Sequence, residues 1–204
     1  MSSPWLDVPL ADYEGHMSAE GVAQLGPLRD LFRLALDFTR PASVVVLGVA
    51  GGNGLDAIDP AVTHRVAGID IHPGYLAATA ARYPAAELHL CDLAAAAAPP
   101  CAPAKLVHAA LIFEHAGADR CLANARRLVA PGGHLSVVLQ LPSAAQAGVA
   151  PTGFASIQGL KDRFRLLDPA AFQAAAGLPL ASETIVPLPS GKAFWFGLFG
   201  PSGN

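Results

Sequence analysis

The hydrophobic positions of the chain change repeatedly between the spacing of a helix and that of a buried strand. From Leu28 to Phe38, apolar residues recur at helical spacing with charged residues between them, which predicts an amphipathic helix. Pro27 opens this segment and Pro41 ends it. Residues 43–47 follow as a short β-branched run, typical of a strand buried on both faces of a parallel sheet.

The same alternation continues to the end of the chain. We predict the other strands at residues 65–71, 87–91, 105–113, 134–141, 182–188 and 193–199, and helices at 74–82, 119–130 and 169–175. Repeated strand and helix units need right-handed crossovers and a parallel sheet, whereas the short turn at residues 189–192 joins only antiparallel neighbours. The pattern therefore predicts an α/β three-layer sandwich. Its seven-stranded, mostly parallel sheet carries an antiparallel C-terminal hairpin strand and has helices on both faces.

Composition narrows the class of function. Of the 204 residues 52% are hydrophobic, but much of this is alanine, and no window approaches the roughly 20 consecutive apolar residues of a membrane span. The N-terminal residues do not resemble a secretory signal, so we expect a cytoplasmic protein. The net charge of −3 and the lack of a basic cluster disfavour a nucleic acid and favour a small molecule as partner. The spacing of three cysteines and seven histidines indicates no metal site.

A glycine-rich segment, residues 48–54, lies where the first strand hands over to the next crossover, at the edge where open α/β sheets bind ligands. Small residues there let a ligand contact the backbone, although glycines between two strands also suit an ordinary turn. Asp70 ends the second strand, where its carboxylate can accept from both hydroxyls of a ribose. Asp92 follows the third strand and can accept from an exocyclic amine. Together these features predict a pocket for an adenosine.

The order of these elements resembles that of the class I, Rossmann-like S-adenosylmethionine-dependent methyltransferases, over residues 43–142. In that family the first loop reads acid-x-Gly-x-Gly-x-Gly. Gly54 and Gly52 match the last two glycines, whereas Ala50 stands at the first. Gly48 stands where the acid normally lies, and this departure matters because the acid helps to orient the amino-acid end of the cofactor.

The resemblance implies which residues contact the cofactor, S-adenosyl-L-methionine. Asp70 matches the ribose-binding acid and Asp92 the residue that meets the adenine amine. Ala110 falls where the fourth strand meets the methionine portion. The full set expected at the cofactor is Gly48, Ala50, Gly51, Gly52, Asn53, Asp70, Ile71, Asp92, Leu93 and Ala110.

The resemblance also implies how one domain is divided. We expect an N-terminal lid and helix at residues 1–40, a cofactor-binding core at 43–142, and an acceptor-side segment with the C-terminal hairpin at 143–204. The acceptor pocket is expected between the N-terminal residues and residues 143–160, with Gln140, Phe154 and Trp195 as candidate lining residues. The sequence leaves the acceptor and the oligomeric state open.

The expected reaction is an in-line displacement that moves a methyl group to a small-molecule acceptor, in which the protein chiefly positions the reactants. A general base is needed when the acceptor is an alcohol, a phenol or a protonated amine. The candidates for this role are Glu14, His16, Glu114 and His115. No metal is expected in the site.

Two other functions fit part of the same pattern. Residues 52–57 satisfy the loose Gly-x-Gly-x-x-Gly/Ala form, so an NAD(P)-dependent oxidoreductase is one alternative. Against it, the first glycine lies far beyond the strand, and Pro60 limits the following helix to under two turns. A non-catalytic S-adenosylmethionine-binding module is the other alternative, because two positions of the loop depart from the family pattern.

Overall fold

The computed structural model describes residues 3–143 and 148–202, and its seven strands form one sheet. The strands are β1 (Ser43–Leu47), β2 (Arg65–Asp70), β3 (Glu87–Leu90), β4 (Ala104–Ala110), β5 (Val129–Gln140), β6 (Leu180–Pro187) and β7 (Ala193–Phe199). Across the sheet they follow the order β3-β2-β1-β4-β5-β7-β6. β7 is antiparallel to both of its neighbours, and the other pairs are parallel, which confirms the predicted sheet.

Four of the helices correspond to predicted segments or overlap them, and three short ones were not predicted. The helices are α1 (Leu10–Ser18), α2 (Leu25–Thr39), α3 (Pro73–Arg82), α4 (Phe113–Ala116), α5 (Ala118–Leu128), α6 (Ala155–Gln158) and α7 (Pro169–Ala176). The start of α3 is fixed locally, because His72 Nδ1 accepts from the backbone N–H groups of Gly74 and Tyr75. None of the described helices combines the length and apolar character needed to cross a membrane.

The sheet is buried on both faces, as the β-branched runs predict. On one face Leu47, Ile69 and Leu135 pack against α5 and α7. On the other face Val46 and Leu106 pack against the apolar stripe of α2. A third cluster consists of Val8, Val149, Ile157 and Leu160, and it joins the N-terminal residues to the segment between β5 and α7. This third cluster lies outside the sheet sandwich and supports the functional site.

The glycine-rich segment hands over to a single turn of 3-10 helix at Leu55–Ala57, within the limit of under two turns that Pro60 sets. Another connection differs from the sequence-based prediction. Residues 131–133, predicted as the turn before a strand, bulge out within β5. The pairing of β5 with β4 shifts from Ala104 with Val129 to Leu106 with His134 across this bulge. Pro131 lacks the N–H that continuous pairing needs. The pairing of β5 with β4 therefore skips residues 131–133 and resumes at His134.

Candidate functional site

A cavity of about 330 Å³ lies at the carboxyl edge of the parallel strands. Its floor is formed by the ends of β1, β2, β4 and β5 and the residues that follow β3. Its roof consists of the N-terminal arm, residues 3–18, and of residues 148–164. This edge is where open α/β sheets bind ligands, and the volume lies at the lower end of the roughly 300 to 1,000 Å³ of small-molecule sites.

Asp70 is the most tightly held charged group in the cavity wall. Its Oδ2 accepts from the backbone N–H of Ala50 at 2.9 Å, and its Oδ1 accepts from that of His72 at 2.9 Å. Burial raises the pKa of Asp70, while these hydrogen bonds act in the opposite direction. A carboxylate oxygen has about two acceptor positions, so each oxygen keeps one for a ligand.

The loop after β1 is held in a strained conformation beside Asp70. Ala50 has a φ of 47°, a left-handed value that costs a non-glycine residue about 1 to 3 kcal/mol. It is fixed on both sides, because its N–H donates to Asp70 and its carbonyl accepts from Thr79 Oγ1 at 2.6 Å. Leu111, after β4, has a φ of 55° and also lines the cavity. Residues in such conformations cluster at functional sites.

Seven of the ten residues expected at the cofactor line the cavity: Gly48, Ala50, Asp70, Ile71, Asp92, Leu93 and Ala110. The other three face away from it. Gly51 lies against the guanidinium of Arg82, and Gly52 lies beneath the ring of Tyr83 at the end of α3. Asn53 Nδ2 donates to the backbone of α2. Consecutive residues of this loop face opposite sides. A motif match does not show which of them face the cavity.

The two carboxylates expected to hold an adenosine lie at one end of the cavity. Asp70 ends β2 and Asp92 follows the neighbouring strand β3. Asp92 is exposed, and its Oδ1 accepts from the backbone N–H of Ala94 at 2.8 Å. Leu93 beside it is buried. This end of the cavity is therefore acidic at its polar positions and apolar between them.

Of the four candidate bases, the two histidines line the cavity. The His115 ring lies between the rings of Trp5 and Phe164, at centroid distances of 4.8 and 5.0 Å. Burial lowers the pKa of His115 to about 4, so its imidazole is neutral near pH 7. Its buried Nδ1 has no hydrogen-bond partner in the described part of the chain. His16 Nδ1 lies 2.8 Å from Thr152 Oγ1.

The two candidate glutamates lie elsewhere. Glu14 forms an ion pair with Arg82 of α3. Glu114 is buried in the core, where its Oε1 accepts from the backbone N–H of Gln140 at 2.8 Å, and burial raises its pKa to about 7. Residues one or two positions apart on a helix point in different directions. His16 and His115 therefore face the cavity while the neighbouring glutamates do not.

Several cavity residues carry no sequence motif. Trp5, Gln24 and Phe164 line it, and so does Lys192, which the sequence placed only in a turn. The one feature of the sequence that could have pointed to Lys192 is its position as a charged residue directly before the apolar run of β7. Among the candidate acceptor residues, Gln140 lines the cavity.

The other two candidate acceptor residues are placed differently. Phe154 packs against Gly15 of α1. Trp195 belongs to the core, where its Nε1 donates to Glu183 at 2.8 Å. Residues 144–147 of the expected acceptor segment lie outside the described residues.

Comparison with known proteins shows what this region is similar to. A family model described as a methyltransferase domain matches residues 44–133. The chain is similar in fold to the N-methyltransferase NodS from Bradyrhizobium japonicum in complex with S-adenosyl-L-homocysteine, with a TM-score of 0.64, 15% identity and 88% of each chain covered. No curated protein matches it in sequence.

Two further solved structures share the fold. One is 1,6-didemethyltoxoflavin-N1-methyltransferase from Burkholderia thailandensis, with a TM-score of 0.65, 17% identity, and 99% of this chain and 92% of that chain covered. The other is the cyclase SpnF, with a TM-score of 0.64, 12% identity, and 86% of this chain and 82% of that chain covered. At such identities the likeness establishes the fold, and the chemistry has to be argued from the site.

Proposed function

We propose a reaction for the whole protein, starting from the match of residues 44–133 to a family model described as a methyltransferase domain. It transfers a methyl group from S-adenosylmethionine to a small-molecule acceptor, by in-line displacement inside the cavity at the carboxyl edge of the sheet. The acidic end of the cavity holds the nucleoside of the cofactor. The opposite end, under the roof, holds the acceptor.

The observation that carries this proposal is the placement of Asp70. Its carboxylate lines the cavity and is held by two backbone N–H groups, with one acceptor position left on each oxygen. Two acceptor positions on one carboxylate suit the two hydroxyls of a ribose. Asp92, at the adjacent strand end, is the proposed acceptor for the adenine amine, and Ile71 and Leu93 are proposed to contact the ring. All three residues line the cavity.

The middle of the cavity fits the methionine portion because its walls are small. Gly48 and Ala110 lie there, at the ends of the adjacent strands β1 and β4. A Cβ at Gly48 would lie 3.0 Å from Ile112 Cδ1, so a larger side chain would require Ile112 to move. The missing acid at this position leaves the amino group of the cofactor to other polar groups. We therefore expect a lower cofactor affinity than an acid at this position would give.

The cofactor supplies an electrophilic methyl group on a sulfonium, whose leaving group is already good. The residues of the chain need chiefly to orient the acceptor and to exclude water, and positioning of this kind contributes up to roughly 7 to 11 kcal/mol. His115 is suited to orientation, because its neutral imidazole can accept a hydrogen bond from an N–H or O–H of the acceptor. A pKa of about 4 makes it a weak base, so this role fits an acceptor that needs little deprotonation.

The N-terminal arm is placed to close the cavity over both substrates. Tyr75 of α3 donates its hydroxyl hydrogen to the carbonyl of Val8 at 2.9 Å. Arg82, on the same helix, pairs with Glu14 of the arm. These two links hold Trp5 and His16 above the strand ends, where they exclude water from the reacting groups.

The oxidoreductase alternative finds little support in the same loop. A dinucleotide pyrophosphate binds at the N-terminus of the helix that follows the glycines. Here the glycines lead into the 3-10 turn at Leu55–Ala57, which offers no such helix.

Asp70→Ala tests the proposed cofactor site. We expect it to weaken binding of S-adenosylhomocysteine by about 1.5 to 3 kcal/mol, the scale for hydrogen bonds to a charged group, measured by calorimetry. Asp59→Ala is the matched control. The exposed Asp59 carboxylate also accepts from the N–H two residues ahead, at 2.9 Å, but lies outside the cavity lining. Equal affinity of Asp70→Ala and the wild type would reject this cofactor site.

A methyl-transfer assay then tests the reaction itself. The purified protein is incubated with S-adenosylmethionine carrying an isotope-labelled methyl group and with a panel of small molecules. Labelled product and an equal amount of S-adenosylhomocysteine are expected. Saturable cofactor binding without turnover on any member of a broad panel would favour the non-catalytic binding module.

A further inference from the structure

Lys192 places a buried ammonium group in the cavity wall. The residue is only 4% exposed and immediately precedes β7. Its Nζ donates to the carbonyl of Gly148 at 2.7 Å and more weakly to Gln140 Oε1 at 3.5 Å. Across the described residues, no carboxylate forms an ion pair with this group. Burial lowers the pKa of Lys192, as expected for an ammonium without a compensating anion.

A buried charge without a counter-ion is costly, and such charges are normally paired with an opposite charge or a ligand. An ammonium has three N–H donors, and the contacts with Gly148 and Gln140 use two of them. Lys192 also lines the cavity, so its remaining donor is available to a ligand there. An anionic oxygen of a bound ligand would compensate the charge of this ammonium group.

The charges along the cavity indicate which substrate supplies that anion. Asp70 and Asp92 lie at the ends of β2 and β3, on one side of β1. Gln140 and Lys192 lie at the ends of β5 and β7 that face the cavity, on the other side of β1. At a spacing of about 4.8 Å per strand, the backbone of β7 is roughly 14 Å from β1. The Lys192 side chain reaches back to Gln140 at the end of β5, which is two strands away from β1. The nucleoside end of the site and the ammonium of Lys192 are therefore separated, and the anion belongs to the acceptor side.

The walls next to Lys192 are aromatic. The Phe164 ring packs so closely on Gly148 that a Cβ there would lie 2.5 Å from its Cδ1, and the Gly148 carbonyl accepts from Lys192. The rings of His115 and Trp5 continue this wall. Aromatic side chains favour flat ring partners at centroid distances of about 4.5 to 7 Å.

We propose that Lys192 binds a carboxylate of the methyl acceptor and that the acceptor is a small aromatic acid. This inference rests on the function proposed above, because it places the acceptor at the end of the cavity that the nucleoside does not occupy. It names the substrate class of the site, and it gives Lys192 the role of recognising the substrate charge.

Benzoate and benzamide test the inference, since they have the same ring and differ in charge. Protein saturated with S-adenosylhomocysteine is titrated with each compound by calorimetry. We expect benzoate to bind about ten-fold more tightly or better, the ratio that corresponds to a charge-assisted hydrogen bond. Lys192→Met keeps the apolar stem and should abolish this preference. Lys105→Met is the matched control, because Lys105 Nζ also donates to a carbonyl, that of Pro131, outside the cavity.

The affinity for S-adenosylhomocysteine is measured first for each variant. Wild-type protein that does not bind it would reject the proposed function rather than the role of Lys192. If Lys192→Met binds it about ten-fold more weakly, the carboxylate that Lys192 holds is that of the cofactor, and the inference is overturned. Equal affinity for benzoate and benzamide, or no binding of benzoate, would overturn it as well. Normal S-adenosylhomocysteine binding by Lys192→Met also shows that the variant is folded.

Discussion

The two ends of the cavity are built in different ways. At the end proposed to hold the nucleoside, called the nucleoside end, Asp70 ends β2 and Asp92 follows β3. Backbone N–H groups within a few residues or in the adjacent loop hold both carboxylates. At the end proposed to hold the acceptor, called the acceptor end, the lining side chains come from the N-terminal arm, from residues 148–164 and from Lys192, which only the tertiary fold brings together. The first end is set by strand termini, and the second depends on how long connections pack over them.

The two ends also differ in how their polar groups are stabilised. The nucleoside end contains carboxylates stabilised by backbone N–H donors, whereas the acceptor end contains a buried ammonium and buried neutral imidazoles. The backbone N–H groups that hold these carboxylates lie at the strand ends, so they are present wherever the sheet forms. The polar groups of the acceptor end need partners from distant segments or from a ligand. We therefore expect perturbations of the roof to affect the acceptor end more than the nucleoside end.

The largest effect on stability is expected from Glu114, whose buried side chain joins the end of β5 at Gln140 to the core. Its folded pKa of about 7 lies above its ordinary value of 4.5, so the folded state binds this proton more tightly than the unfolded state. Its stabilising contribution is complete below about pH 4.5 and is lost as the pH rises through about 7. The lost contribution is about 3 kcal/mol.

Glu114→Gln removes this titration. Relative to wild type, its free energy of unfolding should rise by about 3 kcal/mol between about pH 4.5 and pH 8, measured by urea denaturation at a series of pH values. Using the difference between the two proteins cancels the opposing titrations of buried histidines. Glu20→Gln, at an exposed position, is the control and should show a far smaller change. A difference between wild type and Glu114→Gln that is independent of pH would contradict the prediction.

Tyr75→Phe tests whether the roof is the weaker part of the site. It removes the hydrogen bond to the Val8 carbonyl and should destabilise the N-terminal arm by about 1 kcal/mol. Hydrogen exchange of the arm amides should then become about five-fold faster, while that of β1 and β2 stays unchanged. Tyr83→Phe, at the end of the same helix, serves as control. Equal acceleration in the arm and in the central strands would mean that both ends open together.

The smallest effect is expected from the link between Glu14 and Arg82. Their side chains are 34% and 46% exposed, and ion pairs of this kind contribute about 0.2 to 1 kcal/mol. Glu14→Gln leaves the hydrogen bond from Arg82 to the Gly51 carbonyl in place. Thermal unfolding should show a loss of about 0.5 kcal/mol or less that shrinks at high salt. A larger loss of stability that does not depend on salt would show that this ion pair stabilises the site more than an exposed pair does.

Much of the fold followed from hydrophobic periodicity. β1 and β7 have the predicted bounds, and α3 and α7 differ from prediction by one residue each. These segments bury continuous or regularly spaced apolar residues, which is the strongest local signal. α4 and α6 have four residues each, too few for a period to show. α1 was missed because its polar and apolar residues alternate without a clear face.

The sequence by itself determined the sheet, its carboxyl edge and the two carboxylates at that edge, because strand ends and the residues after them are local properties of the chain. Only the tertiary structure decided that His16 and His115 face the cavity while Glu14 and Glu114 do not, and that Lys192 joins them. The direction of a side chain on a short helix, and the burial of a charge, depend on what packs against it. Those contacts join segments that are distant along the chain, with sequence separations from 26 between Glu114 and Gln140 to 136 between His16 and Thr152.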